Sequence, residues 1–160
     1  MIFEHQVLYP SEGELDEQQP DATDVWHSRI RRAGADLTLV TYGGSLHKSL
    51  SAADSLARER IEAEVIDLRC LRPLDLGPVF DSVRRTHRIL VVDEGWATLS
   101  LAGEIIAQVA EHALYDLDAP PARVCSVEVP IPYAAHMEQA ALPQPEKIVR
   151  AARELVARGG

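Results

Sequence analysis

Short apolar runs alternate with stretches of apolar residues at helical spacing from Leu37 onward. The first run, Leu37–Thr41, is apolar and β-branched, which predicts a strand. Gly43 and Gly44 follow as a turn, and the next apolar residues recur at helical spacing (Leu46, Leu50, Ala53 and Ala57). The same pattern predicts further strands at residues 63–68, 89–92 and 122–129, and helices from about residue 76, across 105–117 and from about residue 145.

This alternation predicts the fold class. Strands that are separated by helices favour parallel pairing, because parallel neighbours need a crossover connection. We therefore expect an α/β protein with three layers, α/β/α, around a mainly parallel sheet. Ile89–Val92 is a run of four apolar residues, which is typical of a strand covered on both faces and hence central in the sheet.

The first 36 residues have a different composition. The stretch "SEGELDEQQPDATD" is acidic and nearly free of large apolar side chains, as expected of a solvated linker. We expect little independent structure in residues 1–36 and one compact domain in residues 37–158.

Charge narrows the range of partners. The chain has 25 acidic and 16 basic residues and a formal net charge of −9, so its long-range field repels nucleic acid and anionic membranes and attracts basic surfaces. No apolar run approaches the roughly 20 residues that a membrane-spanning helix needs, and the N-terminal residues lack the features of a signal peptide. A soluble, cytoplasmic protein is the expectation.

Metal chemistry has little support in the sequence. Cys70 and Cys125 form no CxxC pair, and the six histidines include no HExxH motif and no grouping with cysteine. No metal ligand and no catalytic residue is therefore assigned.

Two stretches follow predicted strands, at the sheet edge where α/β proteins bind ligands. Gly43 and Gly44 could hold an anion on free backbone N–H groups, but no phosphate-binding motif surrounds them, which favours a plain turn. Asp93 and Glu94 are adjacent, so their side chains point to opposite faces and one of them is a candidate cap for the next helix. Trp96 is a candidate for interface packing or for ligand stacking.

Residues 128–149, "EVPIPYAAHMEQAALPQPEKIV", combine several prolines with large apolar residues in what we expect to be an exposed loop. Prolines lower the entropy lost when a loop becomes ordered, so a rigid loop that carries Tyr133 and Met137 suits a protein interface. Pro130 and Pro132 also stiffen the backbone near His136, which leaves a proton-transfer role open as the alternative.

Several motifs together resemble a known family. "AEVIDLRCLRPLD", "VVDEGW", "LDAP..RV" and "VPIPYAAHMEQAALPQPEKIV" are similar to the C-terminal, transketolase-like domain of the beta subunit (E1 beta) of thiamine-diphosphate-dependent 2-oxo acid dehydrogenases of the pyruvate and branched-chain type. The resemblance runs from about Ala35 to Val156, and "IFEHQVLY" is similar to the last strand of the domain that precedes it in the family. It implies a five-stranded sheet with one antiparallel edge strand.

The resemblance also implies a division of labour among chains. In the family, the pyrimidine ring of thiamine diphosphate is held by the preceding domain, and the diphosphate and Mg²⁺ are held by the alpha subunit through a GDG…N motif that this sequence lacks. We therefore expect thiamine diphosphate and Mg²⁺ only in the assembled enzyme, and an inactive chain in isolation. The implied partners are E1 alpha-type and pyrimidine-domain chains, in a homo- or hetero-oligomer.

A further implied partner is the basic subunit-binding domain of the acyltransferase (E2) component. Asp116 and Asp118 resemble the family's docking region and have the charge that suits such a partner, although solvated residues at a helix end are the plain alternative. Tyr133, His136 and Met137 are the candidates for subunit contact.

The leading hypothesis is an assembly domain of an enzyme that decarboxylates a 2-oxo acid and acylates a lipoyl carrier. Two alternatives stay open: the C-terminal subunit of a split transketolase-like two-carbon transferase, and a non-catalytic interaction domain. One departure from the family is "ATLSLAGEI", where a glycine-richer turn is usual.

Overall fold

A computed structural model of the chain describes residues 4–10, 12 and 25–158. Its central feature is a five-stranded sheet in the order β1-β3-β2-β4-β5. The strands are β1 (Arg29–Arg32), β2 (Leu37–Thr41), β3 (Ala63–Asp67), β4 (Ile89–Trp96) and β5 (Ala122–Ser126). β1 pairs antiparallel with β3 and every other pair is parallel, which confirms the expected sheet.

Five α-helices complete the described fold. They are α1 (Ser45–Ala57), α2 (Gly77–Thr86), α3 (Leu101–Ala113), α4 (Ala135–Ala141) and α5 (Pro145–Arg158). None of the helices in the described residues is both long enough and apolar enough to span a bilayer.

The helices cover both faces of the sheet and bury a separate core on each. α1 and α5 pack on one face over Leu39, Val65 and Val92, while α2 and α3 pack on the other over Val40, Ile66 and Val91. Alternate residues of one strand therefore enter opposite cores, and every residue of β2 and β3 is buried. The three layers that the sequence predicts are confirmed.

Two features of the N-terminal 36 residues differ from the sequence-based expectation. β1 lies before residue 37, and Arg29 and Ile30 pair with Asp67 and Ile66 of β3, so the antiparallel edge belongs to the segment assigned to the linker. Gln6–Leu8 form a short 3-10 helix, so the described part of the "IFEHQVLY" stretch is not a strand. Ile2 and Phe3 of that stretch lie outside the described part of the chain.

Two helix starts have a side chain that accepts a hydrogen bond from the backbone of the first turn. The Asp75 Oδ1 accepts a hydrogen bond from the Gly77 backbone N–H at 3.2 Å, at the first residue of α2. The Ser100 side chain caps α3 by accepting from the Gly103 N–H. α4 interrupts the segment that was expected to form a rigid loop, so residues 128–149 combine a loop, one short helix and the start of α5.

Candidate functional site

The two stretches at strand ends meet at the carboxyl edge of the sheet. β2 and β4 are adjacent and parallel, while the chain proceeds from β2 to β3 on the other side, so the strand order reverses between β2 and β4. This is the topological switch point, where open α/β sheets form a ligand crevice. Residues Tyr42–Ser45 after β2 and Asp93–Trp96 at the end of β4 flank it.

Asp93 is the buried anchor of this edge, with 1% of its surface exposed. Its Oδ1 accepts hydrogen bonds from the Tyr42 hydroxyl at 2.7 Å and from the Gly95 N–H at 2.7 Å. Its Oδ2 accepts from the Ala102 N–H, in the first turn of α3, at 3.0 Å. Burial and the hydrogen bond to Asp93 raise the pKa of Tyr42. Asp93 therefore caps the next helix, as expected for one acid of the pair.

Glu94 points to the other side of β4 and forms a separate polar cluster. Its carboxylate accepts hydrogen bonds from His5 Nε2 at 2.8 Å, from Ser45 Oγ at 3.2 Å and from Lys48 Nζ at 3.3 Å. Burial alone would raise the pKa of Glu94, but the hydrogen bond from His5 and the charge of Lys48 outweigh it and hold that pKa below its usual value.

The Gly43-Gly44 turn is covered by the His5 ring. A Cβ atom added to Gly43 would lie 3.1 Å from His5 Cδ2, and one added to Gly44 would lie 2.6 Å from His5 Cε1. The ring therefore occupies the space on the Cβ side of the turn. In this conformation the turn is in contact with a side chain of the same chain.

Trp96 and the residues after β5 form an exposed apolar surface. The Trp96 Nε1–H donates to the Val129 carbonyl at 3.2 Å, and the Thr98 hydroxyl donates to Glu128 Oε1 at 2.8 Å, so the two segments lie side by side. We use the name rim surface for the exposed apolar residues of these two segments and of the loop and helix that follow β5: Trp96, Leu99, Val127, Val129, Ile131, Tyr133 and Met137. His136 is also exposed and lies on α4 beside Met137.

Leu99 is the most unusual residue of the rim surface. It is fully exposed, and its φ of +61° lies in the left-handed region that glycine favours. The "ATLSLAGEI" departure thus places a leucine in a glycine-type conformation with its side chain in solvent. An apolar side chain held there at a conformational cost suits a contact with another molecule.

Asp116 and Asp118 lie at the other end of β5. The Asp116 carboxylate is 3.8 Å from Arg84 Nε, and its carbonyl accepts from His87 Nδ1 at 2.7 Å. The Asp118 carboxylate is 3.9 Å from Arg88 Nη2. Both carboxylates thus have arginines of the same chain nearby. They come before β5 and Tyr133 comes after it, so the two groups of candidate contact residues are not brought together.

The strand-end stretch predicted from the sequence included Tyr42 and Ser45, but the sequence pattern missed His5 and Lys48. His5 and Glu94 are 89 positions apart, and no periodicity or spacing motif links them. A signal did exist for Ser45 and Lys48, since a helix that begins directly after β2 places its first turn at the same edge as Glu94.

The described residues do not fit a thiamine diphosphate. A diphosphate with Mg²⁺ needs oxygen ligands for the metal and donors or cations for the phosphates. The described part of the chain holds no group of three potential metal ligands. A cavity of about 300 Å³ between α2 and α3 is lined by Leu74, Leu76, Phe80, Glu104 and Gln108, none of which is a cation. At the switch point, the cation Lys48 is paired with Glu94, beside His5 and the second carboxylate of Asp93.

Comparison with known proteins agrees with this geometry. The family model described as "Transketolase, C-terminal domain" matches residues 27–148. The chain is 37% identical over 99% of its length to the pyruvate dehydrogenase E1 component subunit beta, mitochondrial, of Dictyostelium discoideum, and covers 45% of that protein. It is 42% identical over its full length to the acetoin:2,6-dichlorophenolindophenol oxidoreductase subunit beta of Cupriavidus necator, covering 47% of it.

A solved structure supports the fold. The "split gene transketolase, inactive beta4 tetramer" matches with a TM-score of 0.72 at 23% identity, over 86% of this chain and 43% of that one. The chain spans less than half the length of the curated relatives described above. The resemblance to E1 beta subunits that the motifs predict is confirmed, and the chain belongs to the transketolase C-terminal domain family.

Proposed function

We propose that this chain is the C-terminal assembly domain of the beta component of a thiamine-diphosphate-dependent 2-oxo acid dehydrogenase. The complete enzyme would decarboxylate a 2-oxo acid and pass the acyl group to a lipoyl carrier. The observation that carries the proposal is the similarity to pyruvate dehydrogenase beta subunits, at 37% and 40% identity over 99% and 96% of this chain.

The polar groups of the chain support an assembly role. The acids and donors at the switch point bind one another, and the described residues include no group of three potential metal ligands. Thiamine diphosphate and Mg²⁺ would therefore be bound by partner chains. When bound there, the cofactor would supply the carbanion chemistry of decarboxylation.

The rim surface is the proposed contact with alpha-type and pyrimidine-domain partners. Large exposed apolar residues that cluster beside polar ones are typical of interfaces in proteins that assemble. Tyr133 and Leu99 are fully exposed and stand out from rigid surroundings, because prolines 130 and 132 restrict the first and the Asp93 cap restrains the second. Both can be buried with little loss of backbone entropy.

The acidic corner around Asp116 and Asp118 is the proposed contact with an acyltransferase subunit-binding domain. Tyr115, between them, is fully exposed and Leu114 is half exposed, so an apolar contact is available beside the carboxylates. A basic partner would have to compete with Arg84 and Arg88, which lie 3.8 and 3.9 Å from these carboxylates. Binding there should weaken with rising salt concentration.

Reconstitution tests the proposal. The chain is mixed with an alpha-type chain and a pyrimidine-domain chain, and the mixture is analysed by size-exclusion chromatography, calorimetric titration of thiamine diphosphate with Mg²⁺, and decarboxylation of 2-oxo acids. A complex that binds cofactor and decarboxylates only when all chains are present supports an assembly part of the enzyme. Assembly without any gain in activity would favour the non-catalytic interaction domain instead.

Two equally exposed tyrosines provide a matched pair of variants. Tyr133 and Tyr115 have relative exposures of 105% and 101%, and they lie at opposite ends of β5. Tyr133→Asp should weaken assembly with the alpha-type chain and leave acyltransferase binding to the remaining complex unchanged. Tyr115→Asp should leave assembly intact and weaken only acyltransferase binding. Identical effects of the two variants would contradict the assignment of the two surfaces.

A second candidate is the beta component of an acetoin:2,6-dichlorophenolindophenol oxidoreductase. It is favoured by the 42% identity over the whole of this chain to the Cupriavidus necator acetoin:2,6-dichlorophenolindophenol oxidoreductase subunit beta. Reduction of dichlorophenolindophenol by the reconstituted enzyme, with acetoin or with pyruvate as substrate, distinguishes the two. The cytoplasmic location expected from the sequence stays a prediction, since the Dictyostelium and Arabidopsis relatives are mitochondrial by name.

A further inference from the structure

The backbone conformation of Gly44 does not require glycine at this position. Its φ of −64° and ψ of −23° lie in the right-handed helical region, which any residue adopts. A Cβ at this position would lie 2.6 Å from His5 Cε1, 3.0 Å from Nε2 and 3.1 Å from Nδ1, and these ring atoms are its three nearest neighbours. The imidazole of a residue distant in sequence occupies the space that a side chain at position 44 would need.

Glu94 contacts the same ring through a hydrogen bond to Nε2. The carboxylate only accepts hydrogen bonds, so His5 Nε2 carries the proton in the 2.8 Å bond to Glu94 Oε2. Ser45 and Lys48, on the first turn of α1, bind the second oxygen Oε1 and fix the orientation of the carboxylate. His5 Nδ1 is buried and has no hydrogen-bond partner among the described residues, so this edge of the ring faces the protein, while a third of the side chain is exposed.

We propose that the Gly43-Gly44 turn and the Glu94 carboxylate form a docking site for the imidazole of His5, which fastens the segment Glu4–Pro10 into the switch-point crevice. A flat ring with a donor at its edge fits this site, because it contacts both the bare glycine backbone and the carboxylate. The His5 ring thereby occupies part of the crevice that open α/β domains otherwise use for a ligand. This inference does not depend on which partners or substrate the complete protein has.

Chemical modification of histidine tests the docking. Diethylpyrocarbonate acylates a ring nitrogen that is accessible, and mass spectrometry of peptides reports each histidine of the full chain separately. His136 is exposed and serves as the internal reference. If the undocked state is populated at no more than about 10%, His5 should react at least about tenfold more slowly than His136. Equal rates in the unaltered chain would overturn the proposal.

Gly44→Ala is the decisive variant, because the backbone accepts alanine and the ring does not. It should raise the reactivity of His5 about tenfold, to that of His136. Gly103→Ala is the matched control, since a Cβ there would meet its nearest atom, Arg123 Nη1, at an ordinary 3.6 Å. It should leave the reactivity of His5 unchanged. Persistent protection of His5 in Gly44→Ala would show that the ring is not seated on this glycine.

A double-variant cycle covers the case in which Gly44→Ala lowers stability. In a His5→Ala background the space beside Gly44 is free, so the melting temperature lost on Gly44→Ala should be recovered there. An equal loss in both backgrounds would show that glycine is required at position 44 for another reason, and it would refute the docking site. Glu94→Gln keeps the size of the side chain but removes its charge, and should give His5 an intermediate reactivity.

Discussion

Replacing Asp93 by alanine should destabilise the domain by about 3 kcal/mol, and the contacts of the carboxylate show why. Three donors lose their acceptor: the Tyr42 hydroxyl, the Gly95 N–H and the Ala102 N–H. Tyr42 is only partly buried and Gly95 is exposed, so water can replace Asp93 for these two, at about 1 kcal/mol or less each. Ala102 is fully buried, and an unpaired N–H there costs about 1–3 kcal/mol.

Urea denaturation followed by circular dichroism measures this loss. A two-state domain of this size should show a lower midpoint with an unchanged slope, and a thermal midpoint lower by about 6–12 °C. Asp54→Ala is the matched control, because the Asp54 side chain is 71% exposed and its closest cation, Arg32 Nε, is 3.8 Å away. Such an exposed pair contributes less than about 1 kcal/mol.

The losses of stability expected for Asp93→Ala and Asp54→Ala differ enough to show whether Asp93 stabilises the carboxyl edge of the sheet. If Asp93→Ala costs no more than Asp54→Ala, the carboxylate does not anchor the carboxyl edge and the cap on α3 is dispensable. Asp93→Asn should recover only part of the loss, since an amide nitrogen directed at one of the donors cannot accept its hydrogen bond. Complete recovery by asparagine would show that the charge and the second acceptor atom are unimportant.

Three further predictions concern the same edge and the interior. Leu99→Gly should raise the free energy of unfolding of the isolated chain by up to about 1 kcal/mol in urea denaturation, because glycine adopts a φ of +61° without strain. The same variant should weaken assembly with the alpha-type chain. A loss of stability would show that Leu99 is not strained. Thr38→Val should cost about 1–2 kcal/mol, since buried Ser82 and Thr86 lose their shared hydroxyl partner at 2.7 and 2.6 Å; a neutral change would contradict this. The pKa of Glu94 is lowered in the folded state, so ionised Glu94 contributes to the stability of the fold. This contribution should be complete above the ordinary carboxyl pKa and should disappear as the pH falls through the lowered pKa. Glu94→Gln should remove this pH dependence from acid unfolding, and an unaltered acid unfolding profile would contradict the prediction.

The interior of the fold could be predicted because its signals are local. β2, β3 and the first half of β4 are runs of buried residues, and the helices between them keep a helical apolar spacing. β1 escaped prediction because its sequence, Arg-Ile-Arg-Arg, contains one apolar residue and lies at an exposed edge, so neither alternation nor burial marks it. α4 escaped because prolines at 130, 132 and 143 surround seven helical residues.

The candidate site could be predicted only in part for a similar reason. Adjacency of Asp93 and Glu94 was enough to place them on opposite sides of β4 and to expect one helix cap, because both follow from strand geometry. The partner of Glu94 depends on a contact over 89 positions, which no local pattern encodes. Gly44 is the one local sign of that contact, because glycine at this position allows the His5 ring to approach closely, although the backbone conformation does not require glycine.

The arrangement of charge and apolar surface explains why such a domain would function through assembly. At the switch point, the carboxylates of Asp93 and Glu94 are bound by donors of the same chain, so this edge directs little unpaired charge at a ligand. Several large apolar side chains that the fold leaves in solvent lie at or after the carboxyl ends of β4 and β5, and they include Trp96, Leu99 and Tyr133. Burying them requires a second surface, and the buried Asp93 cap ties the turn that presents Trp96 and Leu99 to the sheet. A partner that covers the rim surface would therefore contact a preorganised edge, and a variant that loosens Asp93 should weaken association as well as stability.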